Sequence, residues 1–191
     1  IEDCIKNYDA EAPEKSVSAL IKVYKQLQSL NENDESLRYW KTIKLKETEQ
    51  LLLACAGIWA ECSVKNYSGI PGTDVLLQSQ LIVRTKTETS LNKITYLDQT
   101  DTVTNLNLKQ NELFSFKHTA KLPSTLPYSQ PYWLKNKHSA GLYTVNDRAL
   151  IGTAQNKAAA SVYFELSIQD LTLRIERPVI YKQTDPVKGE V

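Results

Sequence analysis

Apolar positions near the start of the chain recur at three- and four-residue spacing, through Val17, Leu20, Tyr24, Leu27 and Leu30. That spacing predicts one amphipathic helix of about five turns from Pro13 through Leu30, with Pro13 in the first turn, where a missing N–H is tolerated. Asn31-Glu32-Asn33-Asp34 reads as a polar turn, and Asp34 as the N-cap of a second helix. The second helix is expected from Glu35 to Ala56. Leu37, Trp40, Ile43, Leu51, Leu52 and Cys55 should face a partner surface, with Lys41, Lys44, Lys46, Glu47 and Glu49 mostly in water. Gly57 is the expected stop, because glycine reaches the left-handed conformation at little cost.

Beyond Gly57 the period changes to alternation, the signature of strands. Ile58, Ala60, Cys62 and Val64 share one face of a first strand. A longer run from Thr73 to Thr85 places Val75, Leu77, Ser79, Leu81 and Val83 together, and shorter runs follow at Lys93 to Leu97, Val103 to Leu108 and Leu113 to Ala120. The clearest hairpin has Val162, Phe164, Leu166 and Ile168 alternating up to Gln169-Asp170, then Leu171, Leu173 and Ile175 alternating back. A last strand, Val179 to Gln183, is expected after Pro178. The fold expected is mainly β with an N-terminal helical hairpin: residues 1–57 form a helical segment, and residues 58–191 an immunoglobulin-like antiparallel β-sandwich of about seven strands.

Composition narrows the function classes. The chain is 41% hydrophobic and 24% charged, with 23 Lys and Arg against 22 Asp and Glu, so a real core is affordable and no basic stripe is available for phosphate neutralisation. Nucleic acid is not expected as a partner. The longest uncharged apolar stretch, Leu51 to Ala60, is about half of the roughly 20 residues needed to span a bilayer, so membrane insertion is not expected either. A chain that begins at Ile1 and contains no methionine reads as a piece of a longer polypeptide.

Candidate chemistry is sparse. Cys4, Cys55 and Cys62 form no metal-ligand pattern with His118 and His138 and read as free thiols. Asp98 and Asp101 could ligate calcium from a loop, but the same residues are ordinary turn formers. Asn66-Tyr67-Ser68 matches a glycosylation sequon. No phosphate-binding glycine loop, nucleophile elbow or HExxH pair occurs, and no catalytic or metal-ligating residue is assigned. In the long irregular segment from Leu122 to Leu150, Tyr128, Tyr132 and Trp133 stand among three prolines. They are the candidate binding residues: aromatic faces held on a stiff loop can stack on sugar rings, although rings of this size more often pack down over the open edge or end of a sandwich.

Several stretches carry a family likeness: Leu51-Leu52-Leu53-Ala54-Cys55-Ala56-Gly57-Ile58-Trp59-Ala60-Glu61, then Pro131-Tyr132-Trp133-Leu134 and Gly141-Leu142-Tyr143, then the C-terminal run from Glu176-Arg177-Pro178-Val179 through Thr184-Asp185-Pro186-Val187-Lys188-Gly189-Glu190-Val191. In order and distance they resemble the central region of large bacterial PIG-L/LmbE-like N-acetylglucosaminyl deacetylase proteins. The family's His-Pro-Asp-Asp segment, which supplies zinc ligands and a general base, is absent from this chain. The resemblance therefore implies a noncatalytic accessory or linker region. Residues 1–56 would correspond to helices trailing a zinc-dependent catalytic domain, and the remainder to an accessory sandwich in a periplasmic or extracellular protein. Adjacent domains of the same polypeptide are the implied partners, with no cofactor in this region. The alternative is a carbohydrate-binding module that brings a deacetylase to glycan. The first reading makes a physical demand: the helices should leave apolar side chains uncovered where the catalytic domain packs.

Overall fold

The computed structural model describes residues 1–31, 34–99, 101–187 and 189–190, which leaves Glu32 and Asn33 of the expected turn outside the description. A short helix α1 (Glu2–Lys6) precedes a 3-10 turn (Pro13–Ser16) that runs into α2 (Val17–Ser29), and α3 spans Glu35–Cys55. Asp34 caps α3 as expected, its carboxylate accepting from the Ser36 amide at 3.0 Å. The packed face of α3 is rotated from the one expected. Lys41, Thr48, Leu52 and Leu53 are buried, while Leu37, Trp40 and Leu51 are exposed. Leu52 and Leu53 pack into the core, and on the same side Lys41 donates from its ammonium to the Leu30 carbonyl at the end of α2, 2.8 Å away. A long side chain can bury its stem and keep its charge satisfied by an otherwise unpaired helix-end carbonyl. Thr48 turns its hydroxyl back to the Lys44 carbonyl, so this polar residue also costs little when covered.

Gly57 ends α3 with φ +64°. A Cβ there would lie 2.9 Å from the Thr85 methyl, while the Thr85 hydroxyl donates to the Ala56 carbonyl at 2.7 Å. The helix end is thus locked against the end of a strand by contacts that need a glycine.

The strands are β1 (Ile58–Val64), β2 (Asp74–Val83), β3 (Thr89–Thr95), β4 (Asp101–Asn107), β5 (Phe114–Lys121), β6 (Ser161–Ile168), β7 (Leu171–Tyr181), β8 (Thr184–Asp185) and β9 (Gly189–Glu190). The first seven form one sheet in the order β4-β3-β6-β7-β1-β2-β5, and β8 and β9 form a separate short ribbon. Two features differ from the expectation. First, the strands are joined in a single mixed sheet rather than two purely antiparallel ones, because β1 runs parallel to β7. Second, Pro178 does not open a new strand but lies within β7. This strand pairs with β6 up to Ser161 opposite Pro178, then with β1 from Val179 opposite Cys62. Proline carries no N–H, so it fits the point where the strand gives up one neighbour and takes another.

The sheet curls. The Tyr96 ring, just after β3, stacks on His118 of β5 with centroids 4.0 Å apart, although β3 and β5 lie second and seventh in the strand order. The Gln169-Asp170 turn holds the predicted β6–β7 hairpin and anchors α2: Ser18 donates to the Gln169 side chain at 2.9 Å and Lys25 reaches the Asp170 carboxylate at 2.5 Å. Val17, Ile21, Tyr24, Leu52, Leu53 and Ala56 of the helical region belong to the same buried cluster as Leu77, Leu81, Leu91, Phe164 and Ile175 of the sheet. Polar groups also enter this core. The fully buried Ser79 hydroxyl lies beside the Cys62 thiol and the Tyr96 hydroxyl, and neither hydroxyl makes a hydrogen bond of good geometry among the described residues. Burial pushes both the thiol and the phenol above their ordinary values.

These two kinds of buried residue should respond oppositely to truncation. Leu77→Ala is expected to cost about 2–5 kcal/mol in denaturant unfolding. Ser79→Ala, on the same face of β2, should leave stability unchanged or raise it, since it removes an unsatisfied hydroxyl. A loss at Ser79 comparable with that at Leu77 would contradict this description of the core.

Candidate functional site

The segment that holds the aromatic candidates is irregular apart from 3-10 turns at Tyr132–Leu134 and Arg148–Leu150. Tyr132 and Trp133 are half-buried and meet edge to face, at 90° with centroids 4.9 Å apart. The Tyr132 hydroxyl donates to the Thr153 carbonyl, and its amide donates to the Asn156 side chain. Two perpendicular rings give no common plane for a sugar, and their bonds tie residues 131–134 to residues 153–156. Tyr128 is placed differently. It is 80% exposed and stands on the rim of a pocket of about 520 Å³, together with Tyr67, which is 86% exposed. Leu77, Leu97, Leu122 and Val179 line the same pocket, which has polar edges at Asn66 and Ser129, and Tyr67 packs edge-on against Tyr181. Tyr67 was singled out in the sequence only as part of a sequon, because nothing local signals that two distant turns will bring two tyrosines to one rim.

The outer face of α3 is the second feature. Leu37, Trp40 and Leu51 lie within one stripe of the helix surface, 38%, 53% and 55% exposed, and Lys44 and Glu47 form a 2.8 Å ion pair in its middle. The Trp40 indole packs edge-on against exposed Tyr39, with the Lys44 ammonium 6.0 Å from its ring centre. Helix geometry puts these side chains on one side of α3, with Leu37 and Trp40 together and Leu51 about 16 Å further along, the charged pair lying between them.

A third feature escaped the sequence reading altogether. The parallel pairing of β1 with β7 covers only Cys62–Val64, so the start of β1 stands apart from β7. Arg177 reaches across this gap and donates from Nε to the Ala60 carbonyl at 3.1 Å and from Nη1 to the Glu176 carbonyl at 2.9 Å. Beside it opens a cleft of about 1220 Å³ between α3 and the β6–β7 hairpin. The α3 face bearing Leu45, Lys46, Glu49 and Leu53 forms one wall, and Tyr163, Arg174, Glu176 and Arg177 are on the other. Burial pushes the Glu49 carboxyl up, against the opposing pull of Arg177 and Lys46. The same burial pulls the Arg177 guanidinium down and, with Glu49, pushes the Tyr24 phenol up. Titratable groups displaced by burial in a cleft are where ligand recognition concentrates.

The remaining candidates resolve simply. Asp101 accepts from Thr95 at 2.5 Å and pairs with Lys93 at 3.2 Å, which holds the β3–β4 turn and lowers its carboxyl; Thr100 of that turn is outside the described residues. Cys62 is buried, Cys4 and Cys55 are half-buried, and none forms a disulfide. Among the described residues, no three His, Cys, Asp or Glu side chains converge as a metal site, and no helix is long and apolar enough to cross a membrane.

Glu49 yields a pH prediction with a definite sign. A carboxyl raised in the folded state stabilises fully below its ordinary value of 4.5 and loses that contribution as pH rises through the raised one. Glu49→Gln should therefore gain in Tm relative to wild type between about pH 4 and about pH 7. A difference that stays constant with pH would show that Glu49 is not desolvated. Compared with known proteins, the chain matches no family model and no curated sequence.

Proposed function

We propose that this chain is a noncatalytic accessory region of a large, exported, PIG-L-like deacetylase, positioning the zinc-dependent catalytic domain of the same polypeptide. The observation that carries this reading is the uncovered apolar stripe Leu37, Trp40 and Leu51 on α3. A helix that packs one face on its own core and leaves a second apolar face in water has a surface suited to a neighbouring domain. Aromatic anchors such as Trp40 beside aliphatic contacts are what such interfaces use. Within this reading the curled sheet plays the part of an immunoglobulin-like sandwich, with β7 crossing between its halves, and the helices are the segment that meets the catalytic domain.

The test begins with the coding sequence upstream of Ile1, which should contain a His-Pro-Asp-Asp segment in a PIG-L-like domain. That domain, produced separately, should bind the 191-residue chain and quench or shift Trp40 fluorescence. Trp40→Ala combined with Leu51→Ala should weaken binding at least about tenfold without lowering Tm. An upstream region with no such domain, or full affinity in the double variant, would overturn the reading.

The second reading, glycan binding, is supported by the rim formed by Tyr67 and Tyr128 over an apolar floor, the arrangement that holds a sugar ring by its less polar face. Oligomers of N-acetylglucosamine should bind in a calorimetric titration, and Tyr128→Ala should abolish the heat while Trp133→Ala retains it. The reverse ranking would move the site to the Tyr132–Trp133 pair, and no heat from the wild-type chain would remove this reading.

A further inference from the structure

The cleft between α3 and the β6–β7 hairpin holds an unusual charge arrangement. Four cations, Lys46, Lys157, Arg174 and Arg177, and two carboxylates, Glu49 and Glu176, share its walls. Among the described residues none of these six is in an ion pair, whereas Lys15, Lys25, Lys44, Lys93 and Lys182 all find carboxylates elsewhere on the molecule. Charges of opposite sign at a surface ordinarily close on one another when side chains are free to do so. Two of the cations are anchored elsewhere. Arg177 is held by its two carbonyl bonds in the gap between β1 and β7, and the Arg174 guanidinium carbon lies over the Tyr163 ring, 4.1 Å from its centre. Contact with an aromatic face restrains a guanidinium without using up its N–H donors, and arginine receives an oxyanion through two parallel bonds from those donors.

We propose that this cleft binds a small ligand bearing an oxyanion, a carboxylate or a phosphate group, with Arg174 and Arg177 as its principal partners and Glu49 opposite them. The excess of cations sets the sign of the ligand. Glu49 limits its charge, since a carboxylate across the cleft repels an anion when ionised and donates a hydrogen bond to it when protonated. The site uses a different face of α3 from Leu37, Trp40 and Leu51, so it is independent of the docking surface and of whether a catalytic domain is attached.

The experiment is a titration of the 191-residue chain with inorganic phosphate and, separately, with succinate, following the arginine side-chain N–H signals by NMR. Saturable shifts at Arg174 and Arg177 with phosphate alone, succinate alone or both support the site and assign its source as phosphate, carboxylate or either. Arg177→Gln removes a bond to the Ala60 carbonyl and can fail to fold, so the exposed Arg174→Gln is the diagnostic variant. It should weaken binding at least about tenfold. Glu49→Gln should tighten it several-fold near neutral pH, and added salt should weaken the wild type. Absence of saturation with both probes would overturn the proposal, as would shifts that Arg174→Gln and Glu49→Gln leave unchanged.

Discussion

The architecture depends on a single strand changing partners. β7 begins as one arm of a hairpin with β6 and ends as the parallel neighbour of β1, with Pro178 at the change. Among the described residues that exchange supplies the strand pairing that connects β3, β4 and β6 with β1, β2 and β5, and a single bridge between Val83 and Gln110 adds to it beyond the end of β4. A parallel contact of three residues is small, and it is sufficient here because the two halves also share a buried core and meet again where Tyr96 stacks on His118. The exchange has a second consequence. Strands that pair over only part of their length diverge over the rest, and the divergence is where Arg177 is inserted and where the charged cleft opens.

The helices answer to the same core. Val17, Ile21 and Tyr24 of α2 and Leu52, Leu53 and Ala56 near the end of α3 continue the buried surface of the sheet, and Gly57 fixes the angle at which α3 passes into β1. The side of α3 that faces inward carries Leu52 and Leu53 in the core and, nearer its start, Lys41, whose bond to the Leu30 carbonyl lets a lysine be buried there. Leu37, Trp40 and Leu51 are left outside this packed side. The cleft and the stripe then occupy separate faces of one helix, so a ligand and a neighbouring domain can be accommodated together.

Much of this was legible in the sequence, for local reasons. The alternation of Val162, Phe164, Leu166 and Ile168 with Leu171, Leu173 and Ile175 marks a hairpin whose register the structure reproduces, with Ile168 opposite Leu171. Asp34 and Gly57 marked both ends of α3 because capping and positive φ are properties of single residues. What was not legible depended on distant partners. Periodicity places Leu37 and Trp40 on an apolar face but gives no hint that a lysine will be bonded across the hairpin. Pro178 reads as a strand start when its neighbours are unknown. β3 starts at Thr89, ahead of the apolar run that suggested Lys93, because Thr89 and Ser90 are held by pairing with β6 rather than by hydrophobicity. The Tyr67–Tyr128 rim and the Arg174–Arg177 cleft arise where segments far apart in sequence are brought together, and no local pattern encodes either.

Hydrogen–deuterium exchange on the amides of residues 62–64 and 179–181 tests most directly whether β7 unites the sheet. The account predicts that the amides bonded in the parallel pairing exchange only with global unfolding, at the same free energy as those of the β6–β7 hairpin. Exchange there at rates near those of exposed loops, with the hairpin still protected, would show two separately bonded sheets and would remove the structural basis of the cleft.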